Sequence, residues 1–385
     1  MASPVPNWTQ DEIATNRAFF YEQTTEFRKT WYPLVPSNEL LTTQPTALRL
    51  LEEPLVLYRD PQTNQPVVFA DKCAHRSAPL SVGRIMDGKL ECRYHGWQYD
   101  TDGKVSHIPS LLKDRSIPAN AKVQTYPAHE ADGWVWVWPG TLEDMQDVPK
   151  PKLYHPWGGD LKAISGYVDL DIDHSLLLEN FLDPSHIPFT HDTTIGNRKL
   201  ASAMTIDCQF HGKFIRGLQV NPDLPDMITS EFEFHPPCTI SLKFVSKTES
   251  RNDQSFYCIP TRKGHCRFIY AQRFTFFESA FKIPVLGSVV SWYFPRFNKK
   301  VLMEDYAMLT GLQERLAMGA NAMNSPVAAD LMIKTYRNWW RKAMKKNPWF
   351  KGYSDDIEDI VLGDCHHSCA SAETKAVPAT LSGDE

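Results

Sequence analysis

Two short mixed pairs of cysteine and histidine constrain this chain more than anything else in it. They read Cys73-Ala-His75 and Cys92-Arg-Tyr-His95, with sixteen residues between them. A zinc finger usually pairs like with like, two cysteines and then two histidines. Here each loop brings one thiol and one imidazole. A [2Fe–2S] cluster explains the mixture: one iron takes both cysteines, the other takes both histidines, and each loop reaches across the cluster. Replacing two thiolates by neutral imidazoles makes the cluster less negative and raises its potential. A structural zinc site, or four residues scattered in a β domain, are the alternatives. Both pairs sit at turns in the text, and Gly83 and Gly96 give the backbone room beside them.

The surrounding text suits such a site. From Arg28 to about Trp138, short β-branched or aromatic runs are split by turn signals: LVLYRD, PVVFADK, KLECRYHGWQYD, KVSHI and GWVWVWPG. Asp102-Gly103 is a strong hairpin signal. An all-β domain is therefore predicted over 28–150, behind a helical segment over 1–27 with Phe19, Phe20 and Tyr21 as its apolar face. The proline-rich VPKPKLYHPW, 148–157, reads as a linker. A second, α+β domain is predicted over 151–355: an antiparallel sheet from strands within 201–275, flanked by helices over 174–187, 300–320 and 326–346. Residues 356–385, rich in Ala, Ser and Thr, read as a mobile tail.

Composition narrows the classes. A chain of 385 residues with 42% hydrophobic and 23% charged content is ordinary globular protein. It buries a large core without staples, so its eight cysteines are not needed as a disulfide framework. A net charge of −5 argues against nucleic acid as a partner. The start has no basic or apolar region of a signal peptide. The nearest approach to a spanning helix, Ile283 to Phe294, is too short. A reducing, cytoplasmic compartment is the expectation.

A second constellation lies in Glu179-Asn180-Phe-Leu-Asp183-Pro-Ser-His186-Ile-Pro-Phe-Thr-His191. The two histidines are five apart, a poor spacing for one helix face. Pro188 is expected to break the helix between them and let a bent segment aim both rings at one point. Two imidazoles and one carboxylate with open positions form the facial triad of non-heme Fe(II) oxygenases. The carboxylate is expected from KKVLMEDYAMLTGLQERL. There Asp305 shares a helical stripe with Val301, Leu302, Leu309 and Leu312, and an acid on an apolar stripe is costly unless paired or metal-bound. Glu304 falls on the more polar face with Lys300, Ala307 and Gly311, and is expected to be an exposed neighbour. The bland alternative is a capped helix with satisfied histidines.

At this point the chain resembles a known family. CAHRSAPLSVGRI and CRYHGWQYDTDGKVSHIPS look like a Rieske protein. N-x-x-D-x-x-H-x-x-x-x-H followed by a late E-D resembles the catalytic domain of the Rieske non-heme iron oxygenases, and the likeness spans about residues 28–320. The resemblance implies Cys73 and Cys92 on one iron of the cluster and His75 and His95 on the other. It implies His186, His191 and Asp305 on a mononuclear Fe(II), with Asn180 a weakly interacting neighbour. Asp183 would bridge His186 to His95 of an adjacent subunit, which requires a homo-oligomer, a head-to-tail homotrimer. LENFLDPSHIPFTHDTTIGNR, HRSAPLSVGRI and RKTWYPLV look like the branch of pheophorbide a oxygenase, chlorophyllide a oxygenase and a related chloroplast-envelope protein. That branch implies large, flat, hydrophobic substrates, tetrapyrroles among them, and a plastid or thylakoid location. Two departures stand out: no C-terminal membrane anchor is apparent, and Cys365-His-His-Ser-Cys369 is one residue longer than the C-x-x-C of some members.

The expected function is that of a terminal oxygenase. No dinucleotide or flavin fingerprint occurs, so electrons must come from a separate ferredoxin or reductase. By resemblance, O2-dependent monooxygenation (hydroxylation or oxidative demethylation) of a hydrophobic ring-containing small molecule is expected. The rival is a Rieske electron carrier or redox-regulated binding protein. Cys208, Cys238, Cys258 and Cys266 read as core residues. Cys365 to Cys369 read as a metal or redox site, or as tail without a role. The seven basic residues of Lys334–Lys351 read as a docking face for an acidic ferredoxin or anionic membrane, or as a solvated helix face. The aromatics of 281–297 suit a substrate entrance, a peripheral membrane contact or core.

Overall fold

The computed structural model describes residues 25–154, 164–210, 214–220, 229–245, 251–275 and 281–343. Of the helical segment expected over 1–27 only residues 25–27 are described, and they belong to a helical turn, Thr25–Arg28. Residues 1–24 and the tail with Cys365 to Cys369 lie outside the described residues. Ten strands come first: β1 (Tyr32–Pro36), β2 (Thr46–Leu50), β3 (Glu53–Arg59), β4 (Pro66–Ala70), β5 (Arg84–Met86), β6 (Lys89–Glu91), β7 (Gln98–Tyr99), β8 (Val105–His107), β9 (Ala128–Ala131) and β10 (Trp134–Val137). They form three antiparallel sheets, ordered β1-β10-β9, β2-β3-β4 and β5-β6-β7-β8. Asp102-Gly103 turns the chain between β7 and β8, with Asp102 Oδ1 accepting the Lys104 N–H at 3.1 Å.

The middle sheet explains why LVLYR and VVFA are apolar throughout. Side chains alternate across a strand, and here both faces are buried. Leu55 and Leu57 of β3 and Val68 and Ala70 of β4 enter a large core. Val56 and Tyr58 of β3 and Val67 and Phe69 of β4 enter a smaller one, which also buries Cys73 and Cys92.

The next seven strands make one antiparallel sheet. They are β11 (Ile164–Leu170), β12 (Thr205–Phe210), β13 (Ile215–Val220), β14 (Thr229–His235), β15 (Thr239–Val245), β16 (Arg251–Arg262) and β17 (His265–Phe274), in the order β11-β17-β16-β15-β14-β13-β12. One face carries the register-matched row Phe234, Ile240, Phe256 and Tyr270. Helices cover it: Phe181, the last residue of α1 (His174–Phe181), lies 4.5 Å from Phe256 and 5.0 Å from Phe268 between ring centroids. Three more helices complete the set used here: α2 (Ile187–Thr190), α3 (Pro284–Ala317) and α4 (Leu331–Ala343). Tyr336 of α4 meets Phe234 edge-on at 5.0 Å.

The large core crosses the stretch read as a linker. It runs from Tyr32, Leu34 and Trp134 to Leu177, Ile240 and Ile269 without a break. Leu51 and Glu52 donate their backbone N–H groups to Pro260 and Thr261, at 3.0 and 2.9 Å.

Several element boundaries differ from expectation. α1 stops at Phe181 rather than 187, because Asp183 precedes Pro184 and a residue before proline avoids helical backbone. Pro188 breaks no helix; it sits in the first turn of α2, where its missing N–H costs nothing. The helix expected from 300 begins at Pro284 and continues through Pro295. β16 escaped notice because it opens on polar residues and carries Pro260, which the sheet accommodates at a register shift. Arg337 is no solvated cation. It is buried in α4 and grips Glu179 of α1 through two hydrogen bonds of 2.8 and 2.5 Å. Cys238, Cys258 and Cys266 are buried free thiols, as read, and burial pushes their pKa values up and leaves them unreactive.

Candidate metal centres

The two Cys–His loops fold by the same backbone scheme. In the first, Ser77 N–H donates to the Cys73 carbonyl and Cys73 N–H to that of Ala78, both at 2.8 Å. In the second, Gly96 N–H donates to the Cys92 carbonyl and Cys92 N–H to that of Trp97, at 2.9 and 2.8 Å. Each loop closes at a left-handed residue, Ser77 (φ 56°) or Gly96 (φ 71°). Glycine suits the second loop doubly, since a Cβ at 96 would lie 2.9 Å from the Pro109 ring.

The scheme sets each cysteine at the base and each histidine at the tip. Cys73 and Cys92 are buried, His75 is half-buried and His95 is exposed. The two imidazoles face each other, with Nδ1 of His75 3.1 Å from Nδ1 of His95. That is the separation of two ligands on one metal. Two partners were not foreseen. The Trp97 ring stacks on His75 at 4.7 Å and 5°. The Tyr99 hydroxyl lies 3.1 Å from Cys73 Sγ and accepts the Ala74 N–H.

The second group brings together the three residues the sequence picks out. His186, His191 and Asp305 present ligand atoms that all lie within 4.8 Å of one another. Asp305 Oδ1 is 3.5 Å from His186 Nε2 and 3.1 Å from His191 Nε2. His186 ends a single 3-10 turn, Pro184–His186, and α2 carries the chain from there to His191. Asp305 projects from the buried stripe of α3 with Leu302 and Leu309 and is 3% exposed. Asn180 stands on the last turn of α1, and its buried Nδ2 has no hydrogen-bond partner among the described residues.

The remaining nitrogens are held by oxygens. His186 Nδ1 donates to the backbone carbonyl of Asp183 at 2.5 Å. The Asp183 carboxylate itself caps the 3-10 turn, accepting from Ser185 N–H and Oγ, and its Oδ2 lies 4.0 Å from His186 Nδ1. Within this chain the carbonyl, not the carboxylate, holds His186. His191 Nδ1 donates to Glu304 Oε2 at 2.8 Å.

Glu304 is thus not the exposed neighbour that the helical wheel suggests. Its side chain is 19% exposed, because residues 191–194 fold over that side of α3. Thr194 Oγ donates to Oε2 at 2.6 Å and Thr193 Oγ to Oε1 at 3.1 Å. Burial alone would raise the Glu304 pKa, but the bonds from Thr194, His191 and Thr193 outweigh it and hold the carboxyl below its usual range. Burial alone would lower the His191 pKa, but Asp305 and Glu304 raise it. The only sequence sign of Glu304 was the E-D dipeptide.

This donor set fits a divalent cation. Carbonyl and carboxylate oxygens accept only, so each Nδ1 carries its proton and each Nε2 turns a lone pair inward. Two lone pairs then face Asp305 Oδ1, a buried oxygen with no hydrogen bond of good geometry. A cation relieves that arrangement. Cis ligands at metal bonds of about 2.1 Å stand about 3 Å apart, close to the spacings seen.

Comparison with known proteins now bears on both centres. A model of the Rieske [2Fe-2S] domain matches residues 30–127, and one named pheophorbide a oxygenase matches 234–322. Chlorophyllide a oxygenase of Oryza sativa subsp. japonica is 31% identical over 331 residues, 82% of this chain and 57% of that protein. Protein TIC 55 of Pisum sativum is 30% identical over 366 residues, 91% of this chain and 63% of that protein. Over most of its length the chain is similar to Rieske oxygenases. The likeness is to the pheophorbide a and chlorophyllide a oxygenase branch of that family. It spans about three fifths of the length of these relatives. Among solved Rieske oxygenases, Pseudomonas putida CBB5 NdmA is 25% identical with a TM-score of 0.66, covering 84% of this chain and 92% of its own. Dicamba monooxygenase bound to dicamba shares the fold at a TM-score of 0.68 and 21% identity, covering 83% of this chain and 97% of its own. The Rieske domain implies a [2Fe–2S] cluster in the first region, and His186, His191 and Asp305 are the candidate ligands of a mononuclear iron.

Proposed function

We propose that this chain is the terminal oxygenase component of a Rieske system, carrying out O2-dependent monooxygenation of a hydrophobic ring-containing small molecule. The observation that carries the reading is the convergence of His186, His191 and Asp305 on one point beside a Rieske domain. Ferrous iron at such a triad supplies open positions for O2 beside a substrate, and the cluster supplies single electrons.

The chain's own residues prepare both places. Cys73, His75, Cys92 and His95 hold the cluster, with the imidazoles at an accessible tip. His186 and His191 hold their lone pairs toward Asp305, each ring locked through Nδ1. Asn180 stands by with a free amide. A tetrapyrrole is the favoured class, on the names of the pheophorbide a and chlorophyllide a oxygenases among the relatives.

The residues divide into a cluster-bearing domain over 28–150 and a catalytic domain over 151–355. Asp183 reaches His95 of a neighbouring copy in a homotrimer, a reading supported by the exposure of His95 and the unshared Oδ2 of Asp183. Electrons come from an external ferredoxin or reductase. The relatives named above are chloroplastic, which favours a plastid location over the cytoplasm. No helix of the described residues is long and apolar enough to cross a membrane. Peripheral contact is supported by Ile283, Val285, Leu286, Val289, Trp292 and Tyr293 on the first turns of α3, all exposed and followed by Arg296, Lys299 and Lys300.

The test is single turnover. Protein carrying both iron centres is reduced with a chemical donor and exposed to O2 with chlorin and smaller aromatic substrates. Oxygenated product is expected. Fully loaded protein that reoxidises without product from any of them would favour the electron carrier.

A further inference from the structure

The two ligating imidazoles are not held alike. His186 leans on a neutral peptide carbonyl, whereas His191 leans on a carboxylate. His191 is also gripped from both sides by successive residues of one helix. Its Nδ1 donates to Glu304, and its Nε2 lies 3.1 Å from Asp305. Neighbouring side chains on a helix diverge by about 100°, so the ring lies in the notch between them. The loop beyond His191 tightens the grip. Gly196 N–H and Thr194 N–H both return to the His191 carbonyl, at 2.8 and 2.9 Å. A Cβ at 196 would lie 2.2 Å from the Ile187 carbonyl oxygen, so the loop closes only with glycine there. That closure brings the hydroxyls of Thr193 and Thr194 onto the same carboxylate.

From this geometry we infer that Glu304 is a positioning residue for the mononuclear site: it fixes the tautomer and orientation of His191 and makes it the stronger donor of the two imidazoles. The inference rests on reading the triad as an iron site. A carboxylate behind a ligating histidine raises its basicity and removes its rotational freedom. The E-D dipeptide then works as a unit, Asp305 on the iron and Glu304 behind His191. The threonines tie the loop to α3, so the ligand-bearing segments keep one register.

The experiment compares Fe(II) affinity by chelator competition in protein that retains its cluster, with the visible cluster absorbance as the folding control. Glu304→Met keeps length and helix propensity but accepts no hydrogen bond, and it lowers Fe(II) affinity about 10- to 100-fold. Glu304→Gln keeps an acceptor oxygen and holds the affinity within about threefold of the parent. EPR of the nitric-oxide-treated, cluster-oxidised protein reads the mononuclear iron alone, and its line shape broadens in the Met variant and is restored by Gln. Affinity within about twofold of the parent and an unchanged line shape in Glu304→Met would overturn the role. If that variant loses its cluster, the Thr193→Val/Thr194→Val double variant reads the same grip. It lowers affinity about threefold or more, and no change there overturns the inference equally. Asp305→Ala is the separate control: iron retained in it sinks the site reading itself rather than the role of Glu304.

Discussion

Gly96 and Ser77 hold equivalent left-handed places in the two cluster loops, and a Cβ at 96 would lie against the Pro109 ring. Gly96→Ala therefore combines a backbone cost of about 1–2 kcal/mol with a clash against Pro109. The expected outcome is a lower melting temperature and less cluster absorbance per chain, with Ser77→Gly no worse than the parent. Asp305→Ala is expected to drop iron content from about three to about two per chain, leaving the cluster spectrum intact. Iron retained by that variant would move the ligand elsewhere. Asp305 was legible because a carboxylate on an apolar stripe contradicts its surroundings. Glu304 was not, because a helical wheel shows only the helix, and the loop that covers Glu304 is 110 residues away in the chain.

Between elements, one buried ion pair stands out. Glu179 on α1 and Arg337 on α4 have side chains 12% and 8% exposed. Burial pushes the Glu179 pKa up, and Arg337 only partly reverses this. Arg337→Met leaves the carboxylate buried without that partner and is expected to cost about 3–5 kcal/mol in denaturant unfolding. The double change Glu179→Leu/Arg337→Met is expected to recover most of it. An equal loss in both would show that the charge pair itself, not the orphaned charge, matters. The apolar runs of β3 and β4 gave strands but not their setting between two cores, since alternation is invisible when both faces are buried. The length of α3 was not legible from its pattern, because a proline in a helix interior ordinarily ends or kinks it, and Pro295 lies inside this one.

Over the whole molecule, two consequences can be measured. Arg59 and Glu130 form a two-bonded pair at 2.6 and 3.0 Å that ties β3 to β9. The bond from Arg59 holds the Glu130 carboxyl below its usual 4.5, against a smaller opposing effect of burial. A depressed folded-state pKa stabilises above the unfolded value and fades as pH falls through the folded one. Parent protein is thus expected to exceed Glu130→Gln by about 1–2 kcal/mol at neutral pH. The gap should close below about pH 4; one that stays constant with pH would refute the assignment. The second consequence concerns assembly. Asp183→Asn is expected to keep the cluster spectrum and the oligomeric mass while losing coupled turnover. Normal turnover in that variant would remove the bridge between copies.

The sequence alone displayed the candidate ligands and their types. Cysteine and histidine alternate within two short loops, a carboxylate sits on an apolar stripe, and ligand types with their spacing are local properties that a linear chain displays. Only the tertiary structure decided what stands behind each ligand. The carbonyl of Asp183, the Glu304 carboxylate with its two threonines, and the core that runs through the expected linker depend on segments far apart in the chain. Their approach is set by packing of the whole sheet and its helices, which no local period encodes.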